Sequence, residues 1–259
     1  MPELPDLQAF SKNLQQRLAG KQVKGIQLNS KKTVSTLAEL EGALMNKTIS
    51  QVFREGKQLR IAFKSGELLG LHLMLHGALH IVPRDEPIKF SVFELLLDNG
   101  EKFVLSDFQK QARPILDPEE SQVPDALSKS LDYKYLKQLL NGKKAIVKNV
   151  LLDQDAIRGI GNAYADEILW HARISPFSIS RAIPDDVLKT LLKSIRHVLE
   201  HAIKQILKEK PEIISGEVRD FLVIHQHKDS ESPTGNKIEV VKAGARKTYY
   251  TEEQVLFEE

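Results

Sequence analysis

The chain has 259 residues, 41% of them hydrophobic, and a formal net charge of +2 from 37 Lys and Arg against 35 Asp and Glu. That length suits two domains or one large one with a sizeable core, and the near-balanced charge means that any surface for a polyanion must come from local segregation. With no cysteine, a disulfide framework and thiolate zinc sites are excluded. The start, Met-Pro-Glu-Leu-Pro, has no basic or apolar leader, and no apolar run approaches the ~20 residues that span a bilayer. A cytoplasmic protein without a membrane partner is the expectation.

In chain order, Leu7, Phe10, Leu14 and Leu18 recur at helical spacing and Gly20 supplies a stop. A strand is expected at Val23–Leu28 and a short helix at Leu37–Leu44. Six further strand-like runs follow: Ile49–Phe53, Leu59–Phe63, Leu68–Leu73, Ala78–Val82, Phe90–Leu97 and Phe103–Leu105. Turn signals such as Asp98-Asn99-Gly100 separate several of them, and seven short strands at this spacing predict a sandwich or barrel. Asp117–Asp125 is acidic, contains two prolines and lacks a pattern, as a linker does.

Helical patterns take over after it. Leu136, Leu139 and Leu140 begin one helix, Ile146, Val150 and Leu151 suit another, and a third is expected around Asn162–Ala172. Pro184 opens a long apolar stripe from Val187 to Leu207, which Pro211 ends. Ile238–Val241 and Lys247–Tyr250 read as the arms of a hairpin. Between Lys134 and Val150 lie five lysines and no acid, while the last nine residues carry four glutamates. The lysine run by itself reads as a solvated helix face.

Two places carry chemistry. Methionine is usually trimmed before proline, which would free the secondary amine of Pro2. An α-amino group has a pKa of about 7.7–8.0 against about 10.4 for lysine, so an appreciable fraction of it is neutral and nucleophilic at physiological pH. Glu3 beside it is a possible acid or base. The second place is Arg158-Gly159-Ile160-Gly161-Asn162-Ala163-Tyr164-Ala165-Asp166-Glu167. Its glycines allow close backbone approach, Asn162 suits a helix N-cap, and a helix start with free N–H groups binds phosphate.

These two motifs, in this order and at this separation, resemble the formamidopyrimidine-DNA glycosylase/endonuclease VIII family over nearly the whole chain. The resemblance implies an α+β fold: an N-terminal β-sandwich flanked by helices (1–116), a linker (117–130), a helical helix–two-turn–helix domain (131–220), and a C-terminal zincless β-hairpin finger (221–259). It implies a bifunctional DNA glycosylase/AP lyase, with damaged DNA held in a cleft between the domains. The catalytic residues would be Pro2 as Schiff-base nucleophile at the deoxyribose C1′, Glu3 for protons at the sugar, and Lys57. The DNA-binding residues would be Leu75, Lys110, Asn162 and Arg246. Glu167 matches the glutamate of the motif helix, and Asp6 stands where the family has a further glutamate. The protein is expected to be a monomer, nucleoid-associated, with no cofactor and no metal.

The chain also departs from the family pattern. Aligned on Arg246, the four cysteine positions of the finger hold Glu231, Thr234, Thr251 and Gln254, so packing of Ile238, Val240, Tyr249 and Tyr250 is expected to hold the hairpin instead. His72-Leu73-Met74-Leu75-His76-Gly77 puts Leu75 at the void-filling position. Asp107-Phe108-Gln109-Lys110-Gln111-Ala112 aligns so that the paired arginines and the aromatic wedge are missing, with Leu75 the only apolar plug. Pro211–Asp220 reads as short for a loop that caps 8-oxoguanine. Together these predict a preference for single-stranded or distorted DNA and indifference to the opposite base. His72, His76 and His80, His197 and His201, and His225 and His227 are spaced as ligand pairs are, but the first three fall in a strand-like stretch, and no metal site is expected. Two rival functions fit the same residues: a damaged-DNA-binding protein without catalysis, and an AP lyase without base excision.

Overall fold

Two four-stranded antiparallel sheets make up most of the N-terminal half of the computed structural model, which describes residues 1–30, 33–225, 230–243 and 246–258. The first sheet has the order β1-β6-β7-β5, from Val23–Leu28 (β1), Ala78–Pro83 (β5), Ser91–Leu97 (β6) and Glu101–Ser106 (β7). The second has the order β2-β3-β4-β8, from Ile49–Glu55 (β2), Gln58–Phe63 (β3), Leu68–His72 (β4) and Arg113–Leu116 (β8). Seven strands match the hydrophobic runs. The eighth, β8, was not expected, because Pro114 breaks its signal. Proline is tolerated there because β8 is an edge strand, paired only to β4 through Leu71↔Pro114.

Helix α1 (Leu4–Leu18) buries Leu4, Leu7, Phe10, Leu14 and Leu18 almost completely, each burial contributing roughly 1.5–3 kcal/mol. Two glutamines fasten the β2–β3 hairpin to this helix. Gln15 Oε1 accepts the Val52 N–H at 2.5 Å, and Gln8 Oε1 accepts from Arg54 Nε at 3.0 Å. Helix α2 (Leu37–Leu44) has a capping box at its start: the Thr36 hydroxyl accepts the Glu39 N–H, and the Glu39 carboxylate accepts the Thr36 N–H.

The remaining helices are α3 (Tyr133–Asn141), α4 (Val147–Leu152), α5 (Asn162–His171) and α6 (Asp185–Glu209). The hairpin β9 (Glu239–Ala243) and β10 (Arg246–Tyr250) pairs Tyr249 with Val240 and Thr248 with Val241. Asp132 caps α3 by accepting the Tyr135 N–H at 2.8 Å. The chain divides into two compact units: Met1–Glu120 with Ile206–Glu217, and Ser121–Gln205 with Val218–Glu259. Thus Ile206–Glu217 returns to the first unit, and Val123–Ala126 runs along Arg158 of the second through the Arg158 Nε bond to the Val123 carbonyl and the Ala126 N–H bond to the Arg158 carbonyl. No helix among the described residues is long and apolar enough to cross a membrane.

Candidate functional site

In the first unit Pro2 is buried and Glu3 is the N-cap of α1. The Glu3 side chain accepts the Asp6 N–H, and the Asp6 carboxylate accepts the Glu3 N–H at 2.8 Å. Both carboxylates are therefore buried at the positive end of a helix, where its dipole and unpaired N–H groups favour negative charge. Asp6, standing where the family has glutamate, completes the capping box that holds Glu3 in place.

Lys57 lies in the two-residue turn Gly56-Lys57 between β2 and β3. Arg54 stabilises that turn from below, with Nη1 on the Gly56 carbonyl at 3.0 Å and Nε on Gln8 of α1. Gln8 is five residues beyond Glu3, or ~7.5 Å along the helix axis. The Lys57 hairpin is thus anchored one and a half turns from Pro2. The His72 ring, at the end of β4, has its pKa pushed below the usual imidazole value first by burial and then by the cations of Arg113 and Lys57, which favours the neutral form. Its Nδ1 accepts the Met74 N–H at 3.1 Å, so Nε2 carries the proton. Lys57, His72 and Arg113 form a donor-rich, electropositive group. Only Lys57 of the three is a catalytic candidate in the sequence, because His72 and Arg113 become its neighbours through the pairing of β4 with β8.

Leu75 sits at the tip of a tight turn and is 54% exposed. Gly77 closes the turn by donating to the Leu73 carbonyl at 2.8 Å, and a Cβ on Gly77 would lie 2.2 Å from that oxygen, so no other residue fits. An exposed aromatic ring does stand in the loop Asp107–Ala112. Phe108 is 56% exposed and its ring lies 4.6 Å from that of His76, next to Leu75 in sequence. Asp107 presents it: its buried carboxylate accepts the N–H groups of Gln109, Gln111 and Ala112 at 2.8–2.9 Å, which turns Phe108, Gln109 and Lys110 outward. Alignment by position placed the wedge three residues later and so passed over Phe108. Lys110 is exposed in this loop with φ +53°.

In the second unit, Asn162 is the first residue of α5 and Gly161 is its N-cap, which corrects the capping role read from sequence. The Asn162 side chain donates instead to the Lys247 carbonyl at 2.9 Å. An amide nitrogen has two hydrogens, so one remains to donate. This bond brings the start of α5 beside Arg246, which is exposed at the head of β10. Helix-start N–H groups and an amide donor thus lie next to the strand that carries Arg246, donor types that suit a phosphate.

A buried polar network holds β10 there. Asp166, fully buried, pairs with Lys148 Nζ at 2.7 Å, His225 Nδ1 at 2.8 Å and the Tyr249 N–H at 3.2 Å. Lys148 also donates to Thr248 Oγ1 at 2.8 Å and to the Lys247 carbonyl at 3.3 Å. Lys148 is therefore not part of a solvated lysine face. Glu167 accepts the N–H groups of Val223, Ile224 and His225 at 3.1, 2.8 and 2.7 Å, yet burial outweighs them and pushes its carboxyl above the usual range. Ile224, Ile238 and Tyr249 make a small core, and Tyr250 meets Phe177 edge-on at 5.1 Å. Val240, expected in that packing, is exposed.

At the four positions aligned with cysteines, Thr234 Oγ1 donates to Glu253 at 2.7 Å, Gln254 Oε1 accepts the Thr251 N–H at 2.9 Å, Gln254 Nε2 donates to the Ile174 carbonyl at 2.7 Å, and Glu231 bridges Lys237 through the backbone. Of the paired histidines, His80 contacts Ser106 Oγ at 2.8 Å, His171 and His197 stack at 4.7 Å, and His197 and His201 at 6.1 Å; His227 lies outside the described residues. No group of three His, Asp or Glu among the described residues is arranged to hold a metal.

These features define an α+β protein of two units, an antiparallel sandwich opening on an N-terminal proline and a helical unit bearing a hairpin. Residues 1–113 match the formamidopyrimidine-DNA glycosylase N-terminal domain, and residues 123–210 match the formamidopyrimidine-DNA glycosylase H2TH domain. The chain is 30% identical to the formamidopyrimidine-DNA glycosylase of Lactobacillus gasseri, over 96% of this chain and 97% of that protein. It is 35% identical to that of Pediococcus pentosaceus, over 79% and 78%. In fold it is similar to Lactococcus lactis Fpg, solved as a complex with DNA containing an abasic site: TM-score 0.85, covering 96% of this chain and 98% of that one at 22% identity. The chain belongs to the formamidopyrimidine-DNA glycosylase family.

Proposed function

We infer that the protein is a DNA glycosylase of base excision repair, and we propose that it also acts as an AP lyase, as a monomer and with a zincless finger. The observation that carries this reading is the buried Pro2-Glu3 start of α1, with the Lys57 hairpin pinned to the same helix. Pro2, freed of Met1, attacks C1′ of the damaged nucleotide, Glu3 handles protons at the sugar, and Lys57 holds a phosphate. Elimination at the 3′ and then the 5′ phosphate cuts the strand. Asn162 and Arg246 grip phosphate from the second unit. A base stacked in a duplex is out of reach, so the nucleotide is extruded at a cost that phosphate contacts recover. Trapping and nicking assays over a panel of lesions and an AP site separate this reading from a binder without chemistry, which nicks nothing, and from a lyase that cuts only the AP site.

Leu75, His76 and Phe108 form an exposed apolar ridge suited to fill the gap left by the extruded nucleotide. A single-strand preference loses its main support, since an aromatic face is present after all. Phe108→Ala is expected to slow excision from duplex DNA by about 5- to 150-fold, matching ~1–3 kcal/mol of base–aromatic stacking, and to leave the free-strand rate nearly unchanged. Equal slowing in both contexts would count against the ridge. Lys110 lacks the forked donor set of arginine, so rates with the four opposite bases should lie close together.

Arg246→Ala is expected to weaken binding to DNA of every sequence alike and to reduce the slope of log affinity against log salt by about 1, the signature of one lost phosphate contact. Binding titrations at several salt concentrations read this directly. An unchanged slope would remove Arg246 from the phosphate grip.

A further inference from the structure

The terminal amine of Met1 lies 2.7 Å from Glu217 Oε1, a carboxylate 216 residues away in sequence. The segment that carries Glu217 is built onto the first unit. Asn13 Nδ2 of α1 donates to the Ile213 carbonyl at 2.7 Å, the Leu79 N–H donates to Ser215 Oγ at 3.0 Å, and Ile213 is buried. Gly216 has φ +85°, a left-handed turn that glycine adopts without strain and that sets the direction of the residue after it. Glu217 stays open to solvent there, and Met1 is more exposed than Pro2.

The nitrogen atoms of consecutive residues are about 3–3.7 Å apart, so the Pro2 nitrogen lies within ~6.5 Å of the Glu217 carboxylate before Met1 is removed. We propose that, once Met1 is cleaved, Glu217 pairs with the Pro2 amine, orients its lone pair and takes its proton during Schiff-base formation. This rests on the reading of Pro2 as nucleophile. The lone pair of the neutral Pro2 nitrogen forms the N–C1′ bond while the carbonyl pair of the ring-opened sugar moves to oxygen. The N–H proton passes to Glu217 and from there to that oxygen. The oxygen takes a second proton from solvent and leaves as water, and the nitrogen lone pair closes the iminium. One proton is consumed overall, and no oxidant or metal is involved.

A carboxylate beside an ammonium group favours its charged form, so Glu217 should raise the pKa of the Pro2 amine. Charged groups on the elements that touch α1 include Glu3 and Asp6 on the helix, Arg54 and Lys57 on the hairpin, with Arg113 acting beside Lys57, and Lys210 and Glu212 on the segment that carries Glu217. The carboxylates act in the same direction as Glu217 and the cations oppose it. All of them remain in a Glu217 variant, so a change in titration belongs to Glu217.

The test uses the full chain with Met1 removed, as checked by mass, in the wild type, Glu217→Gln and Glu217→Asp. Trace reductive methylation with formaldehyde, mapped to the Pro2 peptide across pH, titrates the amine without DNA. Borohydride trapping on AP-site DNA across pH gives the rate of iminium formation. Glu217→Gln should lower the titration midpoint by about one pH unit and cut the maximal trapping rate about tenfold, and Glu217→Asp should shift less in the same direction. If the wild type traps DNA and both variants match it in midpoint and rate, the pairing is wrong. A lower rate with an unmoved midpoint also overturns it, since that is what a packing role alone would produce. A shifted midpoint in a protein that never traps DNA leaves the Glu217–Pro2 pair standing and removes the lyase reading instead.

Discussion

Borohydride reduction on AP-site DNA is expected to link the protein covalently through Pro2, and a form that retains Met1 is expected to give only background. In the Met1-Pro2 peptide bond the proline nitrogen is a tertiary amide whose lone pair is delocalised into the carbonyl, so it has no nucleophilic pair and no proton to lose. Cleavage of Met1 converts the same atom into a secondary amine with a reference pKa near 8, so about a tenth of it is neutral at pH 7 before any neighbour shifts it, and the lone pair becomes available. The Met1 amine is a poor substitute, because it is one residue further out and sits on Glu217. Peptide mapping of the reduced adduct decides the matter. An adduct on Lys57, or full trapping by the Met1-retaining form, would remove Pro2 from the mechanism.

The second large effect concerns the hairpin. Lys148→Met is expected to destabilise the second unit by about 3–5 kcal/mol, the range for removing one partner of a buried ion pair. Lys148 is the cation nearest to Asp166, whose carboxylate has no exposure to solvent. Without it, the Asp166 charge keeps only the Tyr249 N–H and the His225 ring, and Thr248 Oγ1 and the Lys247 carbonyl lose the Nζ donor as well. Urea unfolding should show a lower midpoint, and hydrogen exchange should show early loss of protection at Thr248 and Tyr249. Since the Asn162 side chain is bonded to the Lys247 carbonyl of β10, DNA affinity should fall with the hairpin. The double variant Lys148→Met/Asp166→Leu should recover much of the stability, because it removes the uncompensated charge. A loss below about 1 kcal/mol in the single variant would mean that other contacts hold β10.

The first effect rests on adjacent residues and the second on a pair that only folding brings together, and this marks the limit of what could be read from the chain alone. Hydrophobic spacing is a local property. The stripe Leu7, Phe10, Leu14, Leu18 and the run Val23–Leu28 therefore appeared as a helix and a strand where they were expected, while β8 was hidden because Pro114 is acceptable only on an edge that folding creates. The start Pro2-Glu3 and the stretch Gly159–Glu167 are contiguous motifs, so the family was legible in them. Partnership is not local. Phe108 became visible as an aromatic face only when Asp107 folded its loop outward against His76. Lys148 looked like one lysine among five until α4, α5 and β10 enclosed it with Asp166. Asn162 carried the features of an N-cap, but the carbonyl of Lys247 arrived within 2.9 Å and took its side chain instead. Glu217 has no motif around it, and its place beside the N-terminus depends on two hydrogen bonds that carry the segment after α6 back to the first unit. Sequence determined the elements and the reactive groups, through periodicity and short motifs. Tertiary structure decided which charges are buried together, since desolvation and pairing depend on what surrounds a group in space and not on its neighbours along the chain.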